Sequence, residues 1–199
     1  MPRTALSDSE VEAFRDTLCS AATRRFAEQG YEGVTLRGLA RDLGCSPMTP
    51  YRYFENKAEI FEAVRSAAFA RFAQALQDAL YASPSPAESL PALCRAYVSF
   101  AVAEPHAYRI MFELDQSKRM PTPPETDLRS WLLMRTAVEH AVSLGILEGD
   151  PEVLAHLFWS SVHGLVALHL SGMLVLGRTP EELVEAFIER ELSQVDTRA

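Results

Sequence analysis

At 199 residues with 48% hydrophobic content, the chain is long enough to bury a real core as one or two small domains. Its formal net charge of −8 excludes a generally basic nucleic-acid coat protein, but not a local basic face. Residues 1–60 hold eight Arg/Lys against nine Asp/Glu, whereas 61–199 hold eleven against eighteen, so the acidity lies in the C-terminal part.

The twelve prolines fall mainly at segment boundaries and long Val/Ile/Thr alternations are missing, so the expected fold class is all-α. Ser7 with Glu10 forms a capping box for a first helix to about Gln29, stopped by Gly30, with Phe14, Leu18, Ala21, Ala22 and Phe26 as its buried stripe. Leu36, Leu39, Ala40 and Leu43 recur at i, i+3, i+4 and i+7, an apolar stripe on a second, two-turn helix that Gly44 ends. Ser46 as N-cap and Pro47 at the first helical position open a third short helix. Pro50 falls at its fourth position, where the missing N–H removes the first intrahelical bond and should tighten or unwind the start. Two helices joined by a glycine turn make a helix-turn-helix, whose second helix can enter the DNA major groove.

Asn56 and Glu59 form a capping box for a helix from Lys57 to about Leu80. Ser83-Pro84-Ser85-Pro86 breaks the chain, and Ser85 to Glu88 caps a fifth helix ended by Glu104-Pro105. A short amphipathic helix through Tyr108, Met111 and Phe112 follows, then a polar, proline-rich loop over 115–127. Long helices are expected from about Glu125 to Leu147 and from Pro151 to Leu176. Thr179-Pro180-Glu181-Glu182 is the capping box of the last one.

Phe26 to Thr35, Ala40, Ser46 and the run Tyr51-Arg52-Tyr53-Phe54-Glu55-Asn56-Lys57 resemble the N-terminal domain of TetR-family (tetracycline-repressor-like) regulators over roughly residues 10–65. Pro50 departs from that pattern, which generally has an apolar residue before the tyrosine. Glu104 to Phe112 and Trp159-Ser160-Ser161-Val162-His163-Gly164 resemble the WHG-type C-terminal domain of a subset of that family, over roughly 86–195, which implies no particular ligand. The expected organisation is a helix-turn-helix domain over 8–56, a connecting helix over 57–82, and a ligand-binding and dimerisation domain over 83–199.

The DNA-binding residues expected are Thr35, Arg37, Ser46, Pro47, Met48, Thr49, Tyr51, Arg52, Tyr53 and Lys57. Thr35 caps the second helix and aims its hydroxyl at a phosphate; cap and contact are compatible roles. Arg37 faces away from the apolar stripe. Pro47, Met48, Thr49 and Arg52 are placed to meet base edges, since arginine grips guanine bidentately and threonine or methionine packs on a thymine methyl. By the resemblance, Tyr51, Tyr53 and Lys57 contact phosphates, unless one tyrosine is buried.

Ser160, Gly164, Ala167 and Ser171, at i, i+4, i+7 and i+11, share one stripe on the penultimate helix. TetR-like proteins dimerise through their last two helices, so the stripe reads either as a subunit seam or as close packing within one subunit. A small-molecule pocket, implied by the resemblance and by aromatic supply, would use Tyr97, Phe100, Met111, Phe112, Trp131, Trp159 and His163, which ordinary core packing explains equally well. No cofactor and no metal are expected, because no His-Glu-x-x-His, Cys-x-x-Cys or glycine-rich phosphate loop occurs, and no enzyme signature accompanies them.

Cys19, Cys45 and Cys94 are too dispersed for a disulfide framework and suit a reducing cytoplasm; Cys45 is either packing or a redox sensor. Ser7, Asp8, Glu10 and Glu12 interrupt any signal-peptide run, and the apolar stretch Val162 to Leu176 is shorter than the ~20 residues that span a bilayer. The expectation is therefore a cytoplasmic, homodimeric repressor, without a membrane partner, released from double-stranded operator DNA by a small-molecule effector. The rivals are a ligand-independent regulator or activator, and a helical ligand-binding protein that has lost DNA binding.

Overall fold

The computed structural model describes residues 8–112, 125–175 and 177–192. These form eight α-helices: α1 (Asp8–Gly33), α2 (Leu36–Asp42), α3 (Lys57–Ala82), α4 (Ser89–Ala103), α5 (Pro105–Phe112), α6 (Glu125–Ser143), α7 (Pro151–Leu170) and α8 (Pro180–Leu192). Two 3-10 turns, Pro50–Arg52 and Pro86–Glu88, complete the order, and no strand occurs among the described residues. The expected Ser7 cap and most of the expected 115–127 loop lie outside the described residues.

One device ends α2, α6 and α7. Gly44, Gly145 and Gly172 adopt φ of 64°, 71° and 71°, backbone that L-residues rarely take. In each, the glycine N–H donates three residues back and the next N–H donates five back, as in Cys45 to the Ala40 carbonyl at 3.0 Å. This stops α6 at Ser143 and α7 at Leu170, short of the expected Leu147 and Leu176. Gly30, at φ 70°, breaks α1 where the stop was expected, and one further turn follows to Gly33.

The capping boxes fared unequally. Thr179 and Glu182 make both reciprocal bonds, Glu182 N–H to Thr179 Oγ1 at 3.2 Å and Thr179 N–H to Glu182 Oε2 at 3.0 Å. Asn56 Oδ1 accepts from Glu59 N–H at 3.0 Å, but the Glu59 carboxylate takes the Glu55 N–H instead of that of Asn56. Ser85 makes no side-chain cap; a 3-10 turn intervenes, and the Glu88 N–H bonds the Ser85 carbonyl instead.

The chain divides into two compact units: described residues 8–68 with 106–112, and 69–105 with 125–175 and 177–192. This differs from the expected division in placing α5 with the N-terminal helices. The first unit is built on Leu18, Phe26, Leu39, Phe54, Ile60, Phe61 and, from α5, Ile110, all almost fully buried. Phe26 meets the Phe61 ring edge-on at 4.9 Å. In the second unit α4 packs against α6, α7 and α8. Phe72 meets Tyr97 edge-on at 5.0 Å, Phe158 meets Phe187 at 5.2 Å, and Arg95 holds Glu185 through bonds of 2.6 and 2.8 Å. By length and composition α7 could cross a membrane, and only about a fifth of its apolar window is buried in the single chain. That helix, Pro151–Leu170, takes in the first part of the apolar stretch expected from Val162 and extends N-terminal to it.

Candidate functional site

Thr35 sits in extended backbone just before α2 and its Oγ1 accepts the Gly38 N–H at 3.0 Å, satisfying one of the open donors of the helix start. Leu36, Leu39 and Ala40 are buried and Leu43 half-buried, so the expected stripe does face the core. A clasp that the sequence reading missed fixes the other flank. The Arg25 guanidinium, from α1, grips the Asp42 carboxylate at the end of α2, with Nη2 to Oδ1 at 2.8 Å and a second bond from Nε to Oδ2. That bond, the largest cause, holds the Asp42 carboxyl below its usual range, with Arg41 and Arg24 adding attraction. Gly38 makes room for the clasp, since a Cβ there would lie 3.0 Å from Arg25 Nη1 and 3.1 Å from Thr35 Oγ1. Its signal was present in the sequence: a glycine inside a short helix costs ~1 kcal/mol relative to alanine and needs a packing reason.

The segment after Gly44 is the main departure from expectation. Instead of a third α-helix opening at Ser46, residues 47–49 form turns and Pro50–Arg52 a single 3-10 turn. Pro50 has no N–H to bond the Ser46 carbonyl, and its ring crowds that carbonyl in α geometry. The ladder therefore closes over three residues: Thr49 N–H to Ser46 at 2.8 Å, Arg52 to Thr49 at 3.1 Å, Tyr53 to Pro50 at 3.0 Å. Ser46 Oγ accepts only a long bond from Met48 N–H, 3.4 Å. Pro50 itself is buried, as is Phe54, on whose ring the Arg15 guanidinium lies at 4.2 Å.

This arrangement leaves Thr35, Arg37, Ser46, Pro47, Met48, Tyr51 and Arg52 exposed, Met48 at 65%, and Thr49 half-buried. Among the described residues no ion pair engages the side chains of Arg37, Arg41 or Arg52. Two of the expected phosphate contacts, Tyr53 and Lys57, are half-buried and have partners within the unit. The Tyr53 ring packs tilted against Phe14 at 4.7 Å, and its carbonyl accepts from Arg15 at 3.2 Å. The Lys57 ammonium lies 4.2 Å from the Tyr31 ring centre, donates to the Tyr31 carbonyl at 2.9 Å and reaches Glu32 at 3.3 Å.

In the second unit the aromatic residues form a ladder. Trp131 lies 4.4 Å from the His156 ring and 5.8 Å from Trp159, and Trp159 lies 6.0 Å from His163. His163 Nδ1 pairs with the Tyr97 hydroxyl at 3.2 Å, and Phe100 is buried against Phe72 at 5.1 Å. Met111 and Phe112 belong to the other unit, where Phe112 packs on Tyr108 at 4.8 Å. Of the small-residue stripe, Ser160 and Ser171 are exposed and Gly164 and Ala167 half-buried. Beside them Val153, Leu157 and Leu168 are exposed at 54%, 56% and 47%. Burial pushes the Cys94 thiol up to about 12, far from a reactive thiolate.

A capped short helix, a glycine turn and a second short segment offering methionine, tyrosine and arginine outward define a helix-turn-helix DNA-reading head. A family model described as bacterial regulatory proteins, tetR family, matches residues 18–64, and one described as tetracyclin repressor-like, C-terminal domain, matches residues 90–191. The second spans half of the molecule, and the chain belongs to the TetR family of transcriptional regulators. Among curated relatives, the HTH-type transcriptional repressor AcnR of Corynebacterium diphtheriae is 33% identical over 73 residues, which cover 37% of this chain and only 38% of that one. The AcnR repressor of Corynebacterium efficiens is 27% identical over 197 residues, covering 94% and 97%. Among solved structures, a protein of unknown function from Rhodococcus sp. RHA1 superposes with a TM-score of 0.77 at 26% identity, covering 98% of each chain.

Proposed function

We propose that this regulator is a homodimeric repressor that reads a pseudo-palindromic operator and is released by a small molecule. The observation that carries the DNA-reading part is the outward set Arg37, Met48, Tyr51 and Arg52 on a backbone fixed by the Thr35 cap, the Gly44 stop and the Arg25–Asp42 clasp. Met48, Thr49 and Arg52 are the base readers, Thr35, Arg37 and Tyr51 the phosphate contacts, and Tyr53 and Lys57 buttress the head through their contacts with Phe14 and Tyr31. Dimerisation is supported by the α7 face, where Val153, Leu157, Ser160, Gly164, Leu168 and Ser171 form an apolar, small-residue strip along one side of a helix. A two-fold pair of heads would meet half-sites about 34–36 Å apart or a small multiple of that. Acting on chromosomal DNA, such a protein works in the cytoplasm.

The effector site proposed is the Tyr97–His163–Trp159–Trp131 ladder. An effector releases DNA only if it binds one head separation better than the other, so its affinity must fall when operator is present. The test is selection from a random duplex pool with purified protein at near-physiological salt. An inverted repeat is expected; binding without a motif that fades steeply with salt would reduce the head to electrostatic attachment.

A further inference from the structure

The segment that faces DNA carries a proline at a buried position, and that proline sets the hydrogen-bond ladder on either side of it. The Thr49, Arg52 and Tyr53 amides all bond three residues back, and only Phe54, at the segment's end, bonds four back, to the Pro50 carbonyl at 3.0 Å. A 3-10 turn advances about 120° per residue against about 100° in an α-helix, so from Thr49 to Arg52 the two geometries differ by about 60°. Thr49 and Arg52 are two of the side chains offered to base edges. Their relative direction therefore depends on a residue that is itself buried.

We propose that Pro50 is a positioning residue for sequence reading: by denying Ser46 its α-helical partner it holds residues 49–53 in a 3-10 turn and thereby fixes which bases Thr49 and Arg52 meet. This rests on the DNA-reading function proposed above. Restoring the N–H while leaving every outward side chain in place would let the segment wind as an α-helix and turn Arg52 relative to Thr49. Of the phosphate contacts proposed above, Thr35 caps α2 and Arg37 lies on it, so both would be untouched, and only that of Tyr51 sits within the turn.

The experiment compares wild type with Pro50→Ala in parallel selections from one random duplex pool at the same salt, with thermal melting as the control for folding. The expected result is an inverted repeat from both proteins. Relative preference at one or more half-site positions should change by about fivefold or more, while low-salt binding to a fixed unrelated duplex stays within about twofold. Identical base preferences from the two proteins would overturn the proposal while leaving the DNA-reading function intact. Failure of wild type itself to enrich any motif would overturn that function, and this inference with it. Should Pro50→Ala lose its cooperative melt, Pro50→Val, which keeps more of the buried bulk, is put through the same selection; if that variant also fails to fold, Pro50 is a core residue alone and the proposal falls.

Discussion

In the first unit, the exposed face of α2 and the turn after it carries Arg37, Arg41, Met48, Tyr51 and Arg52; in the second, the exposed face of α7 carries Val153, Leu157, Leu168 and small residues between them. Both faces belong to helices whose opposite sides are buried in well-packed cores, so neither is left over from poor folding. What differs is the chemistry presented. Cations without internal ion pairs, beside an amphipathic tyrosine, suit a phosphate backbone and base edges. An uncharged strip with glycine and serine at its centre suits another helix at close range. An overall acidic chain thus presents a cationic face on the first unit and an apolar face on the second.

The comparison breaks first, and by most, at α7. Leu157→Glu with Leu168→Glu should leave helix content unchanged but convert dimer to monomer in sedimentation. Operator affinity should fall by about 10²-fold or more, because the second head loses its tether. A dimer that persists with full affinity would move the seam elsewhere. Should the double variant instead lose an affinity of the wild type for lipid vesicles, with no change in mass, α7 would be a membrane face. Next is Arg52→Gln, expected to weaken specific binding by ~1–3 kcal/mol and to relax preference at one half-site position, measured by fluorescence anisotropy on matched and mismatched duplexes. Arg37→Gln should instead weaken binding to all duplexes alike, lowering the slope of log K against log salt by about 1.

Smaller effects test the scaffold under the cationic face. Thr35→Ala removes the bond to Gly38 and should cost ~0.5–2 kcal/mol of stability in denaturant titration, together with a loss of DNA affinity. The clasp gives a pH dependence. Asp42 has a folded-state pKa below its unfolded value of 3.8, so the clasp's contribution is fully present above that value and disappears as pH falls through the lower folded value. Asp42→Asn should flatten that acid limb of the stability curve. Because the pair is near the surface, the change should be the smallest of the set.

Features closed within a few residues were legible in the sequence: the Thr35 cap, the Gly44 stop and the reciprocal Thr179–Glu182 box each need only local bonds. Pro50 was legible as a disturbance, yet its outcome, a 3-10 turn in place of an α-helix, depended on burial of the ring and on where the following amides could bond. Tertiary partners were not legible. Nothing local says that Lys57 will cover Tyr31, that Tyr53 will pack against Phe14, or that Arg25 will reach seventeen residues on to Asp42. The same holds for α5, whose amphipathic stripe fits a core without naming which; Ile110 lies in that of the first unit, which separated Met111 and Phe112 from the other expected pocket residues.

The central claim is two heads reading one two-fold site through a paired α7 face. Its most direct test is sedimentation of the protein on a duplex carrying the selected inverted repeat and on one with a single half-site scrambled. The account predicts two chains on the intact repeat and a large loss of affinity on the scrambled one. One chain per duplex, with equal affinity for both, would contradict it.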